Sequence, residues 1–64
     1  MGFIVKLLES GNYFTAGGDG IDTTSSRDEA IANGQFADYE EAKETAETWS
    51  GQMVLEEDYT IESV

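Results

Sequence analysis

Carboxylates are the side chains that could do chemistry by sheer number here: fourteen Asp and Glu against three Lys and Arg, with no histidine and no cysteine. Three kinds of chemistry use such groups. Paired carboxylates do general acid–base work where a cleft drives their pKa values apart. Clustered oxygens bind calcium. Rows of carboxylates can stand where nucleic-acid phosphates would, facing a basic protein. The residue types around the acids separate these cases. The pairs "EE" at 40–41 and "EED" at 56–58 lack a neighbouring His or Cys and any obvious pocket, so they read as solvated surface. No catalytic residue is expected, and the chain is read as a non-enzyme. The segment "DGIDTTSSRDEA", starting at Asp19, puts Ile21, Thr24 and Ala30 where a calcium loop needs an oxygen ligand, a glycine and a glutamate. No metal site is expected. The glycines of "GGDG" lack the lysine of a phosphate cradle and lie among acids, so no nucleotide or other cofactor is expected.

The rows remain. In "YEEAKETAETW", residues 39–49, Glu40, Glu41, Glu44 and Glu47 share the outward side of a helix with one lysine. Residues four apart on a helix rise about 6 Å, and alternate residues on a strand about 6.6 Å. Phosphates along a DNA strand follow one another at roughly 6–7 Å once the helical path is added to the rise. A second row is expected from Glu56, Asp58 and Glu62 on a C-terminal strand, with Glu57 beside it. From Asp38 onward nine acids face Lys43 alone, a net charge of -8 out of -11. Like charges one turn apart cost about 0.2–0.5 kcal/mol per pair. Salt adaptation and solubility could each explain an acidic surface, but salt adaptation predicts acids spread evenly along the chain. The concentration in one half favours a binding role.

The elements that must position these groups follow from pattern. At 64 residues the chain is read as one domain, 1–64, with a thin core. With 39% hydrophobic and 11% aromatic residues it is expected to fold, and not to be an acidic disordered tail. "FIVKLL", "ESGN" and "YFTA" predict a β-hairpin over residues 3–16. "GGDGIDTTSS" reads as an exposed loop. Ser26 with Glu29 forms a capping box and Gly34 occupies a C′ position, which predicts a short helix with Ala30 and Ile31 turned inward. Asp38 caps the main helix, Glu41 completes a D-x-x-E box and Gly51 stops it. Tyr39, Ala42, Ala46 and Trp49 form its apolar stripe. The segment 52–64 alternates as a strand, or bends at Glu57–Asp58 into two.

The expected fold is α+β: a small, mainly antiparallel sheet of three or four strands in ββ(α)αβ order, with one main helix packed on one face. Phe3, Val5, Leu7, Tyr39, Ala42, Ala46, Trp49, Met53, Leu55 and Ile61 are the expected core. Phe36, Tyr39 and Trp49 could stack nucleic-acid bases, but their spacing suits a core and the surface has no basic patch, so direct nucleic-acid binding is not expected. With Phe3, Val5 and Leu7 facing the helix, Ile4 and Leu8 are left on the other sheet face, which predicts a homodimer unless residues 17–35 fold over that face or the partner covers it. No run of 18 apolar residues predicts a membrane span. The start is too short for a signal peptide, and Lys6 stands where a myristoylation signal wants Ser or Thr.

The stretch "FADYEEAKETAETWSGQMVLEE", with the small size and acidic charge, resembles the small acidic proteins of phages and mobile elements, including anti-CRISPR inhibitors that imitate DNA. The resemblance implies a protein inhibitor working in the host cytoplasm on a basic nucleic-acid-binding complex such as a CRISPR effector. The residues expected to meet that partner are Glu40, Glu41, Glu44, Glu47, Glu56, Glu57, Asp58 and Glu62. The alternative is a phage structural or adaptor protein, or a salt-adapted module, that binds a protein partner through its apolar sheet face.

Overall fold

The computed structural model describes residues 2–17, 20–51 and 54–64. Along the chain run β1 (Phe3–Leu7), β2 (Tyr13–Gly17), β3 (Gly20–Thr24), α1 (Arg27–Asn33), α2 (Tyr39–Ser50) and β4 (Tyr59–Ser63). The strands form one antiparallel sheet in the order β3-β2-β1-β4. This is the expected α+β class, with α2 over one face. It differs in one strand: residues expected as an exposed loop form β3. Ile21, Thr23 and Thr24 are β-branched, and Gly17 pairs with Gly20 where the chain reverses, so the segment folds back onto β2.

Register assigns each side chain to a face. Val5 opposite Ile61 and Leu7 opposite Tyr59 point to α2, as does Phe14 in β2. Val5, Leu7, Phe14 and Tyr59, with Phe36, Ala42 and Ala46, form the main core, and Phe3, Ile21, Leu55 and Ile61 pack around it. Ala42 and Ala46 are fully buried, and their small size lets α2 approach the sheet closely. The large side chains come from the strands: Phe14 and Tyr59 are also fully buried. This corrects the expected core. Tyr39 and Trp49 flank the alanine stripe and remain 40% and 46% exposed, because the space beneath the helix axis is already filled from the sheet. They close the core at its rim, Tyr39 edge-on to Phe3 and Trp49 edge-on to Phe14. Met53, also expected in the core, lies outside the described residues.

The other face is covered. Ile4 is fully buried with Tyr13 and Ala30, and Ile31 and Val64 pack beside them. α1, within residues 17–35, therefore covers this face, the alternative to a dimer, and the bare apolar surface that motivated self-association and the adaptor reading is absent from the described residues. Leu8 stays exposed in the β1–β2 turn. Ser26 caps α1 as expected, its hydroxyl accepting from the Glu29 amide. Gly34 is needed for a different reason than expected. Its φ of -123° is open to any residue, but an added Cβ would run into the Phe14 carbonyl and sit 2.9 Å from Thr15 Cα. The chain leaving α1 passes against β2 and then bonds to β1, Phe3 and Phe36 exchanging both backbone hydrogen bonds. It uses the β2-side edge of β1, where the two strands have parted beyond the Lys6–Tyr13 pair.

Candidate functional site

α2 is the scaffold of the acidic face. Asp38 holds the N-cap position in extended backbone but makes no side-chain cap bond, so the expected D-x-x-E box is not formed. Glu40 and Glu41 lie in the first turn, where the positive end of the helix dipole favours carboxylates. Gly51, at φ 79°, ends the helix in the left-handed conformation, its amide donating to the Glu47 carbonyl.

The four helix glutamates have different surroundings. Glu47 is engaged. Its Oε2 pairs with Lys43 Nζ at 3.0 Å and accepts from the Tyr59 hydroxyl at 3.0 Å. The hydrogen bond from Lys43, followed by that from Tyr59, holds the Glu47 carboxyl below its ordinary range. Glu47 in turn raises the Lys43 pKa. The Tyr59 hydroxyl is pushed up to about 12, first by burial and then by the hydrogen bond to Glu47. Glu40 and Glu41 are solvent-facing and compensated by the dipole. Glu44 has neither device: it is exposed, in mid-helix, and has no ion-pair or hydrogen-bond partner among the described residues.

The second expected row does not form. β4 begins only at Tyr59, and residues 56–58 are a turn, so the bend of the chain replaces a single strand over 52–64. Glu56 adopts a positive φ of 70° there, its amide donating to the Tyr59 carbonyl at 2.7 Å and its carboxylate accepting from the Thr60 hydroxyl at 3.2 Å. Asp58 accepts from the Val54 amide at 2.9 Å and donates its own amide back to the Val54 carbonyl at 2.8 Å. These two acids build the turn. Glu57 is exposed. Glu62 lies opposite Ile4, on the α1 face of the sheet, and pairs with Arg27 at 3.1 Å. The structure thus groups Glu40, Glu41 and Glu44 on one surface, puts Glu57 at a turn, and sends Glu62 to the far side.

The three cations are all engaged inside the chain. Arg27 meets Glu62, Lys43 meets Glu47, and Lys6 Nζ lies 5.9 Å from the centre of the Tyr13 ring. None sits on the exposed side of α2 as a counter-charge to Glu44. Among the described residues no group of three Asp or Glu is arranged to hold a metal ion. No helix there is long and apolar enough to cross a membrane.

Sequence reasoning missed a groove of about 410 Å³ between α2 and β3, lined by Ile21, Glu44, Thr45, Thr48 and Trp49. Its signal is present but hidden: Glu44, Thr45, Thr48 and Trp49 share one helix flank, while Ile21 sits in a glycine- and threonine-rich segment that reads as a loop. Comparison with known proteins finds no matching family, no matching curated protein and no matching solved structure.

Proposed function

We propose that the protein is a non-enzymatic inhibitor that presents the outer surface of α2 to the basic nucleic-acid-binding groove of another protein. The observation that carries this reading is Glu44. A carboxylate flanked by Glu40 four residues before and Glu41 three before repels each of them at about 0.2–0.5 kcal/mol, while Glu47, three after, is offset by Lys43. The fold offers it no cation and no dipole in return. A partner rich in Lys and Arg would convert that standing repulsion into binding energy, because the free protein is relieved of it on association. Following the resemblance to small acidic phage proteins, the partner class is a host nucleic-acid-binding defence complex of the CRISPR effector kind, met in the host cytoplasm. Recognition is steric and electrostatic, with the acids standing in for phosphates and no bond made or broken.

Capture from a nuclease-treated bacterial host lysate tests the proposal. Bound proteins should be nucleic-acid binders, should be released by added duplex DNA, and should dissociate as salt rises from about 50 to 300 mM, because contacts between exposed charges are screened. A bound partner that DNA cannot displace would end the mimicry reading.

A further inference from the structure

We propose that the groove between α2 and β3 receives an arginine side chain from the partner, with Trp49 as its aromatic wall and Glu44 as its counter-ion. The inference rests on the binding role proposed above for the partner's identity, while the groove itself is argued from its walls.

Trp49 is 46% exposed although it is the largest side chain in the chain. It is also held in place. The indole and the Phe14 ring meet in an edge-to-face arrangement, centroids 5.0 Å apart and planes at 61°, and Phe14 is completely buried in the core. An aromatic wall fixed by the core loses little freedom when a ligand docks, which favours binding. Across the groove Ile21 gives an apolar surface, Thr45 and Thr48 give hydroxyl oxygens, and Glu44 gives the one charge. An anion would be repelled by Glu44. A neutral apolar ligand would leave that carboxylate without a counter-charge. A cation fits both the indole face and the carboxylate. Among protein cations, guanidinium suits this pair best: it is planar, stacks on aromatic rings, is weakly hydrated, and offers a fork of donors to a carboxylate.

The edge of β3 disfavours the rival mode of docking. β3 is an outer strand of the sheet, and strand addition would use its free backbone. The Thr23 amide is already taken by the Asp22 carboxylate at 2.8 Å, which removes one donor that strand addition could use. A side chain entering the groove needs no backbone edge.

Trp49 is the single tryptophan, so its fluorescence reports on the groove directly. The probe is the peptide acetyl-Gly-Arg-Gly-amide, with acetyl-Gly-citrulline-Gly-amide as its neutral isostere, at equal concentration and salt. The arginine peptide should give a saturable change in Trp49 emission and the citrulline peptide should not. E44Q should weaken the arginine peptide by up to about fivefold, the upper range of an exposed ion pair. E41Q removes the same unit of charge from α2 outside the groove and should weaken it less. Amide shifts by NMR, which remain readable in W49A, should map to Ile21, Thr45 and Thr48 in the parent protein and vanish in that variant. Equal response to citrulline, or equal weakening in E41Q and E44Q, would overturn the proposal by showing general attraction to an acidic protein. If the peptide fails while partner capture still depends on Glu40 and Glu41, the groove falls and the acidic face stands. If the peptide binds and capture fails, the groove stands without the partner proposed for it.

Discussion

α2 has two flanks built from similar residues, and the sheet treats them differently. Toward β4, Lys43 and Glu47 close onto Tyr59 in a short chain of hydrogen bonds. Toward β3, Glu44, Thr45, Thr48 and Trp49 look into open space above Ile21. The cause is where the helix lies. α2 rests on β1 and β4, so the β2–β3 half of the same face is only partly covered. β4 contributes a large aromatic with a hydroxyl at its tip, while β3 contributes Ile21 and Thr23. A glutamate on the first flank is part of the fold, and one on the second is available to a partner. Identical residue types therefore carry different meanings according to the strand they face.

The sharpest way to break this contrast is to truncate the aromatic on each flank. Tyr59→Ala should cost about 3–5 kcal/mol and unfold much of a domain this small, because the side chain is fully buried. Trp49→Ala should cost about 1–2 kcal/mol, since roughly half the ring is already in water. Urea unfolding compares the two, and equal losses would erase the distinction between flanks. Gly34→Ala belongs between them as a probe of the α1 face: about 1–3 kcal/mol lost, from overpacking against the β2 backbone and not from backbone conformation.

pH dependence separates the flanks more finely. Tyr59 has its folded pKa raised from 10.0 to about 12, so its share of stability is complete below pH 10 and is lost as the pH rises toward 12. Tyr59→Phe should show no such loss in that window while costing only about 0.5–1.5 kcal/mol at neutral pH. Glu47 shifts the other way. Its carboxyl is lowered from 4.5, so its contribution is present above that value and disappears as the pH falls through the lowered one. E47Q should flatten the acid limb of a thermal-melt series relative to the parent. The smallest effect is at Glu44: E44Q should leave stability unchanged or raise it by about 0.2–0.5 kcal/mol for each like-charge neighbour relieved. A clear loss of stability in E44Q would mean that this side chain serves the fold after all.

Much of this architecture is legible in the sequence. Ser26 with Glu29, Gly51, the β-hairpin pattern and the Ala42–Ala46 stripe all act through local chemistry that a reader can recognise. The misreadings share a physical origin. Tyr39 and Trp49 fall on the apolar side of the helical wheel, but a wheel does not say how much room the sheet leaves, and Phe14, Phe36 and Tyr59 had already filled it. β3 was hidden because its glycines and threonines look like a loop until β2 supplies a partner. For the acids, spacing along the chain gave Glu40, Glu41 and Glu44 correctly as outward. It could not show that Glu47 meets a hydroxyl twelve residues away, nor that Glu62 turns to Arg27 on the opposite face. Those contacts depend on register, which only the folded sheet sets.

If the exposed acids of α2 are the working surface, their position and not only their charge must matter, and a matched pair of charge reversals separates the two. Glu40→Lys with Glu44→Lys changes the net charge by the same amount as Glu9→Lys with Asp28→Lys, which lie in the β1–β2 turn and in α1. Circular dichroism first establishes that both variants fold. Capture of the basic partner from lysate, measured for each at one salt concentration, should then be abolished by the α2 pair and largely kept by the other. Equal loss in both variants would show that net charge alone governs binding, and no loss in the α2 pair would contradict the claim outright.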